Sequence, residues 1–227
     1  MPLSTLFENK SNHEFLANFV KKNNMAIAPH SIYAESTPNP ATMKFVSNRY
    51  LVVDGQVYEY ALEDDASNSP LAERLLNFPF ISKVFIASNF VALTKTDIIE
   101  WEDVIHQLRD FLADYLNKDG VVVKVSALDL EEDNSNQNSS IQSPKRDSLT
   151  GIDAKIADIL EEYVKPAVES DGGAIHFHSY NEGKVSVLLK GACSGCPSST
   201  MTLKSGIENM LKEMLPGEVK EVEAING

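Results

Sequence analysis

Cysteine is scarce in this chain: two in 227 residues, Cys193 and Cys196. They allow one disulfide at most, which excludes a disulfide-stapled secreted scaffold. Positive charge is also short, with 20 Lys and Arg against 33 Asp and Glu and a formal net charge of −13. Neutralising phosphates needs a basic surface, so no nucleic-acid partner is expected. No apolar run approaches the ~20 residues that span a bilayer, so no membrane partner is expected either. What is present is a 43% hydrophobic composition, enough for ordinary buried cores. These bounds describe a soluble, acidic, intracellular protein.

Residues 1–30 have no continuous apolar stretch, and Glu8 and Glu14 interrupt the start, unlike a signal peptide. They also hold no arginine, which argues against a mitochondrial transit peptide. Phe7, Phe15, Leu16, Phe19 and Val20 fit one side of a short helix, and a loosely docked terminus is the simpler reading. The clearest boundary falls at 128–148, where the run from Glu131 to Ser140 has no apolar residue. Such a stretch cannot bury enough surface to offset the entropy of ordering it, so it reads as a flexible polar linker. A coil of about 20 residues spans roughly 25 Å and tethers two domains without fixing their orientation. The expected layout is an N-terminal extension at 1–30, a first domain at 31–127, the linker at 128–148 and a second domain at 149–227. Charge is spread evenly: residues 1–127 hold 11 basic and 16 acidic side chains, and residues 149–227 hold 7 and 12. Neither part is a hidden basic module.

The first part mixes strands and helices. Ser31–Glu35 and Met43–Val46 read as extended, separated by the turn Thr37-Pro38-Asn39-Pro40. Ser69 followed by Pro70 opens a helix. Ile81–Ala87 and Phe90–Thr94 form a hairpin around Ser88-Asn89. Apolar residues at 101, 104, 105, 108, 111, 112, 115 and 116 keep helical spacing. Val121–Val125 is a β-branched run expected to close the sheet. This part has no Gly-rich phosphate loop, no cysteine and only the isolated His106 in its helix, so it presents no catalytic constellation and reads as a packed α+β module used for contacts.

The second part has the order α-β-β-α-β. Ile152, Ile156, Ile159, Leu160, Tyr163, Val164 and Val168 trace a helix stripe, which Pro166 is expected to kink or end. Asp171-Gly172-Gly173 is a turn, and Ala174–Tyr180 and Lys184–Lys190 are strands joined at Asn181-Glu182-Gly183. The cysteine loop follows, then a helix through Met201, Leu203, Ile207, Met210 and Leu211 that stops at Pro216-Gly217, then a last strand over Val219–Ile225. The fold class expected is two small α+β domains.

Cys193 and Cys196 form one C-x-x-C pair between a strand end and a helix start, with Pro197, Ser198, Ser199 and Thr200 typical of a helix N-terminus. The unpaired N–H groups and dipole of that terminus favour thiolate over thiol. Four readings compete. A structural disulfide would close a very short loop and add little stability. A thioredoxin-like redox pair expects a βαβ setting, which the element order lacks. A zinc site needs four ligands, which His176 and His178 could complete, although both alternate on one strand. An iron–sulfur cluster takes four thiolates, which two chains related by a two-fold axis would supply. Spacing alone does not choose among the last three.

The longer string Gly191-Ala192-Cys193-Ser194-Gly195-Cys196-Pro197-Ser198-Ser199-Thr200, continued by Met201-Thr202-Leu203-Lys204-Ser205-Gly206-Ile207-Glu208, resembles the NifU-like C-terminal (Nfu) domain. Val164-Lys165-Pro166 and Asp171-Gly172-Gly173 fit the same pattern. The first part resembles the Nfu N-terminal domain through Thr37-Pro38-Asn39-Pro40, Met43-Lys44-Phe45, Leu71-Ala72-Glu73-Arg74-Leu75, Val84-Phe85, Phe90-Val91-Ala92-Leu93-Thr94-Lys95 and Trp101. The resemblance covers about 31–120 and 149–227. It implies a non-enzymatic iron–sulfur cluster scaffold or carrier. Cys193 and Cys196 of each of two chains would hold a labile [4Fe–4S] cluster, with [2Fe–2S] left open because both use four thiolates. It implies a homodimer when loaded, with apo iron–sulfur client proteins and upstream assembly factors as partners. The alternatives are a thiol–disulfide redox protein using the same pair and a non-catalytic adaptor. The missing transit signature places the expected location in a bacterial cytoplasm.

Overall fold

The structure, a computed structural model, describes residues 28–53, 55–124, 149–194 and 197–226. The extension over 1–27 and the expected linker lie outside the described residues. The described residues form two sheets, one in each part of the chain.

The first sheet holds β1 (Ile32–Ser36), β2 (Thr42–Ser47), β3 (Val57–Ala61), β4 (Ile81–Ala87) and β5 (Phe90–Lys95). Its order is β1-β2-β5-β4-β3, antiparallel throughout. The β4–β5 hairpin turns tightly because Ser88 takes φ 45°. Helix α1 (Pro70–Leu76) begins where Ser69 accepts the Ala72 N–H and Pro70 supplies a preset φ. Helix α2 (Trp101–Asn117) buries Trp101, Val104, Leu108, Leu112 and Leu116, one side of a 3.6-residue repeat. Trp101, Val104, Leu108 and Leu112 meet Phe45, Leu71, Leu75, Ile81 and Leu93 in one core between the helices and the sheet.

The edge strand is not the valine run. β3 holds that place, paired to β4 from Val57↔Ala87 to Ala61↔Lys83. Residues 121–124 instead strap the start of α1. The Val121 carbonyl accepts from the Tyr115 hydroxyl at 2.7 Å, and the Val122 carbonyl accepts from Ser69 Oγ at 2.7 Å. The Lys124 N–H donates to the Asn68 carbonyl at 2.7 Å. Backbone groups already taken by side chains and a loop cannot also enter a strand ladder. Val125 lies outside the described residues.

The second part runs α3 (Ile152–Ile159), a π-helical turn (Leu160–Val164), α4 (Lys165–Ser170), β6 (Gly173–Asn181), β7 (Lys184–Gly191), α5 (Pro197–Met214) and β8 (Glu221–Asn226). Its sheet is β6-β7-β8, with β6 antiparallel to β7 and β8 parallel to it, so α5 is the crossover helix. Pro166 does not end the first helix. A proline there has no N–H for the preceding turn and its ring crowds that turn's carbonyl. The chain answers by widening into the π turn before resuming as α4. Ile156, Leu160, Val164 and Val168 pack on Ile175, Val187 and Leu189 of the sheet and on Ile207 and Leu211 of α5. Each part is therefore a small α+β domain, and the second keeps the order α-β-β-α-β. Among the described residues no helix is long and apolar enough to cross a membrane.

The two sheets touch. Val46, Phe85, Ala87, Phe90 and Ala92 on the first form one apolar cluster with Ala174 on the second.

Candidate functional site

Cys193 lies two residues past the end of β7, and glycines shape the space around it. Gly191 has φ 69°, and a side chain there would meet the Gly172 carbonyl oxygen at 2.7 Å and the Phe85 ring at 2.9 Å. A Cβ at Gly173 would sit 2.8 Å from Cys193 Sγ. These two positions need glycine because backbone and sulfur approach so closely. The Ala192 N–H donates to the Gly172 carbonyl at 3.1 Å, and the Ser194 N–H and Oγ donate to the Gly191 carbonyl at 3.1 and 3.0 Å. Thr200 in the first turn of α5 donates from Oγ1 to the Cys193 carbonyl at 3.1 Å. The loop is thus fastened to the turn before β6 and to the crossover helix.

Cys193 is a free thiol, 7% exposed, and it belongs to the core of the second domain. Burial pushes its pKa up to about 11, and the Asp171 carboxylate adds to the rise. This reverses the expectation of a thiolate stabilised by the helix terminus. The sulfur sits in an apolar core before the helix begins at Pro197, and desolvation there disfavours the charged form. A metal taken up by this thiol must displace its proton. Gly195 and Cys196 lie outside the described residues, so the structure places one of the two expected ligands.

The two histidines weighed as further ligands lie on β6. His176 faces Leu188 across the ladder. Burial lowers its pKa to about 4, helped by the Lys190 and Lys165 charges and opposed by Glu161. His178 sits at the irregularity between Phe177 and Ser179, with a buried Nδ1 that has no hydrogen-bond partner. Among the described residues no group of three or more His, Cys, Asp or Glu side chains converges on a metal position.

Sequence reasoning missed three residues beside the loop. Asp171 carries a sequence signal only through the turn Asp171-Gly172-Gly173, which also fits the family pattern. Glu59 on β3 accepts from the Gly191 N–H at 3.2 Å. Burial pushes its pKa up, while the Lys83 charge, that N–H and the Lys190 charge pull the other way. Asn39, in the β1–β2 turn, donates from Nδ2 to the Ala192 carbonyl at 3.3 Å. The signal for Glu59 was a lone carboxylate in the β-forming run Val57-Tyr58-Glu59-Tyr60. Asn39 carried none beyond its turn.

Residues 32–119 match the family described as scaffold protein Nfu/NifU N terminal, and residues 156–223 match the NifU-like domain. The chain belongs to the NifU-like (Nfu) family. Its relatives include a Drosophila willistoni protein named NFU1 iron-sulfur cluster scaffold homolog, mitochondrial. The two are 32% identical over 198 residues, which is 86% of this chain and 63% of that relative. NifU-like protein 4, mitochondrial, from Arabidopsis thaliana is 34% identical over 202 residues, covering 85% of this chain and 65% of its own. The chain spans less than two thirds of the length of either relative. The mitochondrial names overturn the expected bacterial cytoplasm. That expectation rested on the arginine content of one end of the chain, a test of one kind of import signal that has no hold on where the folded modules work.

Proposed function

We propose that the chain is an iron–sulfur cluster scaffold or carrier and not an enzyme, working in an organelle as its mitochondrial relatives do. Cys193 and Cys196 of two chains hold one [4Fe–4S] cluster as cargo, received from upstream assembly factors and passed to apo client proteins. The observation that carries this is the free thiol of Cys193, held at the end of β7 by a glycine-shaped loop with a single C-x-x-C pair per chain. Two thiolates are half of the four that a cluster takes, so a second chain completes the site. Cargo bound across a subunit boundary is releasable, because loosening the dimer opens the site to acceptor thiolates. The apo chain is then monomeric, and cluster uptake draws two chains together by mass action.

The same geometry weighs against thiol–disulfide exchange. That chemistry needs an accessible thiolate, and Cys193 is buried with its pKa pushed up to about 11. The adaptor alternative is separated by function. Anaerobic reconstitution with iron and sulfide gives a chromophore that Cys193→Ala and Cys196→Ala each abolish, and the loaded wild type activates an apo iron–sulfur acceptor in the presence of a chelator. Full cluster retention by either variant would falsify the ligand assignment. Loading without transfer leaves only the adaptor.

A further inference from the structure

The first domain grips the backbone that leads into Cys193. Glu59 holds the Gly191 N–H, and Asn39 holds the Ala192 carbonyl, so the two residues preceding the cysteine are both bonded to the other domain. Lys44 on β2 reaches across from the same face and donates from Nζ to the Ser170 carbonyl at 3.0 Å. Ser170 immediately precedes Asp171, whose carboxylate acts on the Cys193 thiol. Both backbone segments that line the cysteine are therefore fastened by side chains of the other domain. Thr37 completes the contact, with its methyl 3.3 Å from where a Gly172 side chain would begin.

The contact is built to be specific and releasable. Its apolar part is one small cluster around Phe85, Phe90 and Ala174. Its directional part is three polar side chains on backbone groups, one of them a half-buried carboxylate. Polar groups in such a place contribute orientation more than strength, since desolvation offsets much of the bond. Small, partly polar interfaces between domains of one chain open readily.

We propose that the first domain is a latch on the cysteine loop: Asn39 and Glu59 are positioning residues that hold Cys193 closed in its core, and the latch opens before a cluster is taken up. The second clause rests on the scaffold reading; the first does not. The latch acts by holding backbone, so an acceptor at position 59 matters more than its charge. Glu59→Gln keeps that acceptor and Glu59→Ala removes it.

The test uses the full chain in its apo, reduced state, with iodoacetamide as the probe and modification at Cys193 read by peptide mass spectrometry. In the Asn39→Ala, Glu59→Ala double variant Cys193 reacts about tenfold faster than in the wild type, the effect of weakening a local closed state by two hydrogen bonds. Glu59→Gln returns the rate to near the wild-type value in the Asn39 background, and Asp110→Ala, on an exposed part of α2, leaves it unchanged. Cluster uptake from iron and sulfide quickens in the double variant alongside alkylation. A double variant that keeps both sheets and alkylates at the wild-type rate overturns the latch. So does wild-type uptake of cluster that the double variant does not hasten. If the double variant does not fold, hydrogen exchange of the wild-type Gly191 amide decides: slow exchange supports the latch, and exchange as fast as an open amide overturns it. A chain that takes up no cluster in any form sinks the scaffold reading, while alkylation still decides the latch.

Discussion

The two domains spend their interiors differently. The first fills its core with large apolar side chains, Phe45, Leu71, Leu75, Leu93, Leu108 and Leu112 among them, under a five-stranded sheet. The second has three strands and places a thiol and a half-buried histidine in and beside its core. The domain with the larger core carries no candidate ligand, and the domain with the smaller core carries the candidate ligand Cys193. Sites that must rearrange come from the less stable part of a structure, because opening costs less there. A first domain with the larger apolar core that holds the loop of the second is a consistent division of labour.

The largest test of this contrast is a cavity. Leu108 is wholly buried where α2 meets the first sheet. Leu108→Ala is expected to destabilise the first domain by about 3 kcal/mol, the usual cost of a large-to-small change in a well-packed core. Denaturant unfolding should separate into two transitions, with the lower one belonging to the mutated domain. A single transition shifted as a whole would show that the domains unfold as one unit.

A somewhat smaller effect should appear only in the second domain, through pH. His176 is held neutral, with a folded value of about 4 against an ordinary 6.5. The unfolded chain therefore binds a proton that the folded chain refuses between those values. Stability from this group is complete above about pH 6.5 and is lost as pH falls toward 4, by about 2 kcal/mol once partial exposure is allowed for. His176→Asn should flatten that part of the profile. An unchanged slope between pH 6.5 and 4.5 would count against the burial account.

The smallest effect is a helix cap. Ser69 Oγ accepts from the Ala72 N–H at 3.2 Å and donates to the Val122 carbonyl at 2.7 Å. Ser69→Ala should lower the midpoint of the first domain by an amount worth about 1 kcal/mol and leave the second untouched. A loss confined to the second domain would contradict the strap made by residues 121–124.

Much of this was legible in the residues. Ser69-Pro70, the Ser88-Asn89 and Glu182-Gly183 turns, and the stripe from Trp101 to Leu116 all carry local signals, and each element formed where its signal lay. The strand end that leads to Cys193 and the helix from Pro197 were legible for the same reason, since their motif is contiguous. The failures share a cause. Whether Val121–Val125 or Val57–Ala61 takes the sheet edge depends on which backbone groups are already bonded elsewhere, and both runs favour strands. Pro166 signals an interruption, but whether the helix stops or widens depends on the core beneath it. The high pKa of Cys193 depends on burial among residues distant in sequence, whereas its position near a helix start is local. Glu59 and Asn39 reach the loop across 132 and 153 positions of chain, a distance over which no single-sequence pattern speaks.

Everything proposed for the site depends on one cluster being held by two chains through Cys193 and Cys196. Native mass spectrometry of the anaerobically reconstituted full chain tests it most directly. The expected result is a species of two chains carrying about four irons and four sulfides, with single chains only when the cluster is absent. A single chain that retains the whole cluster, or a dimer that persists with no iron and sulfide bound, would contradict it.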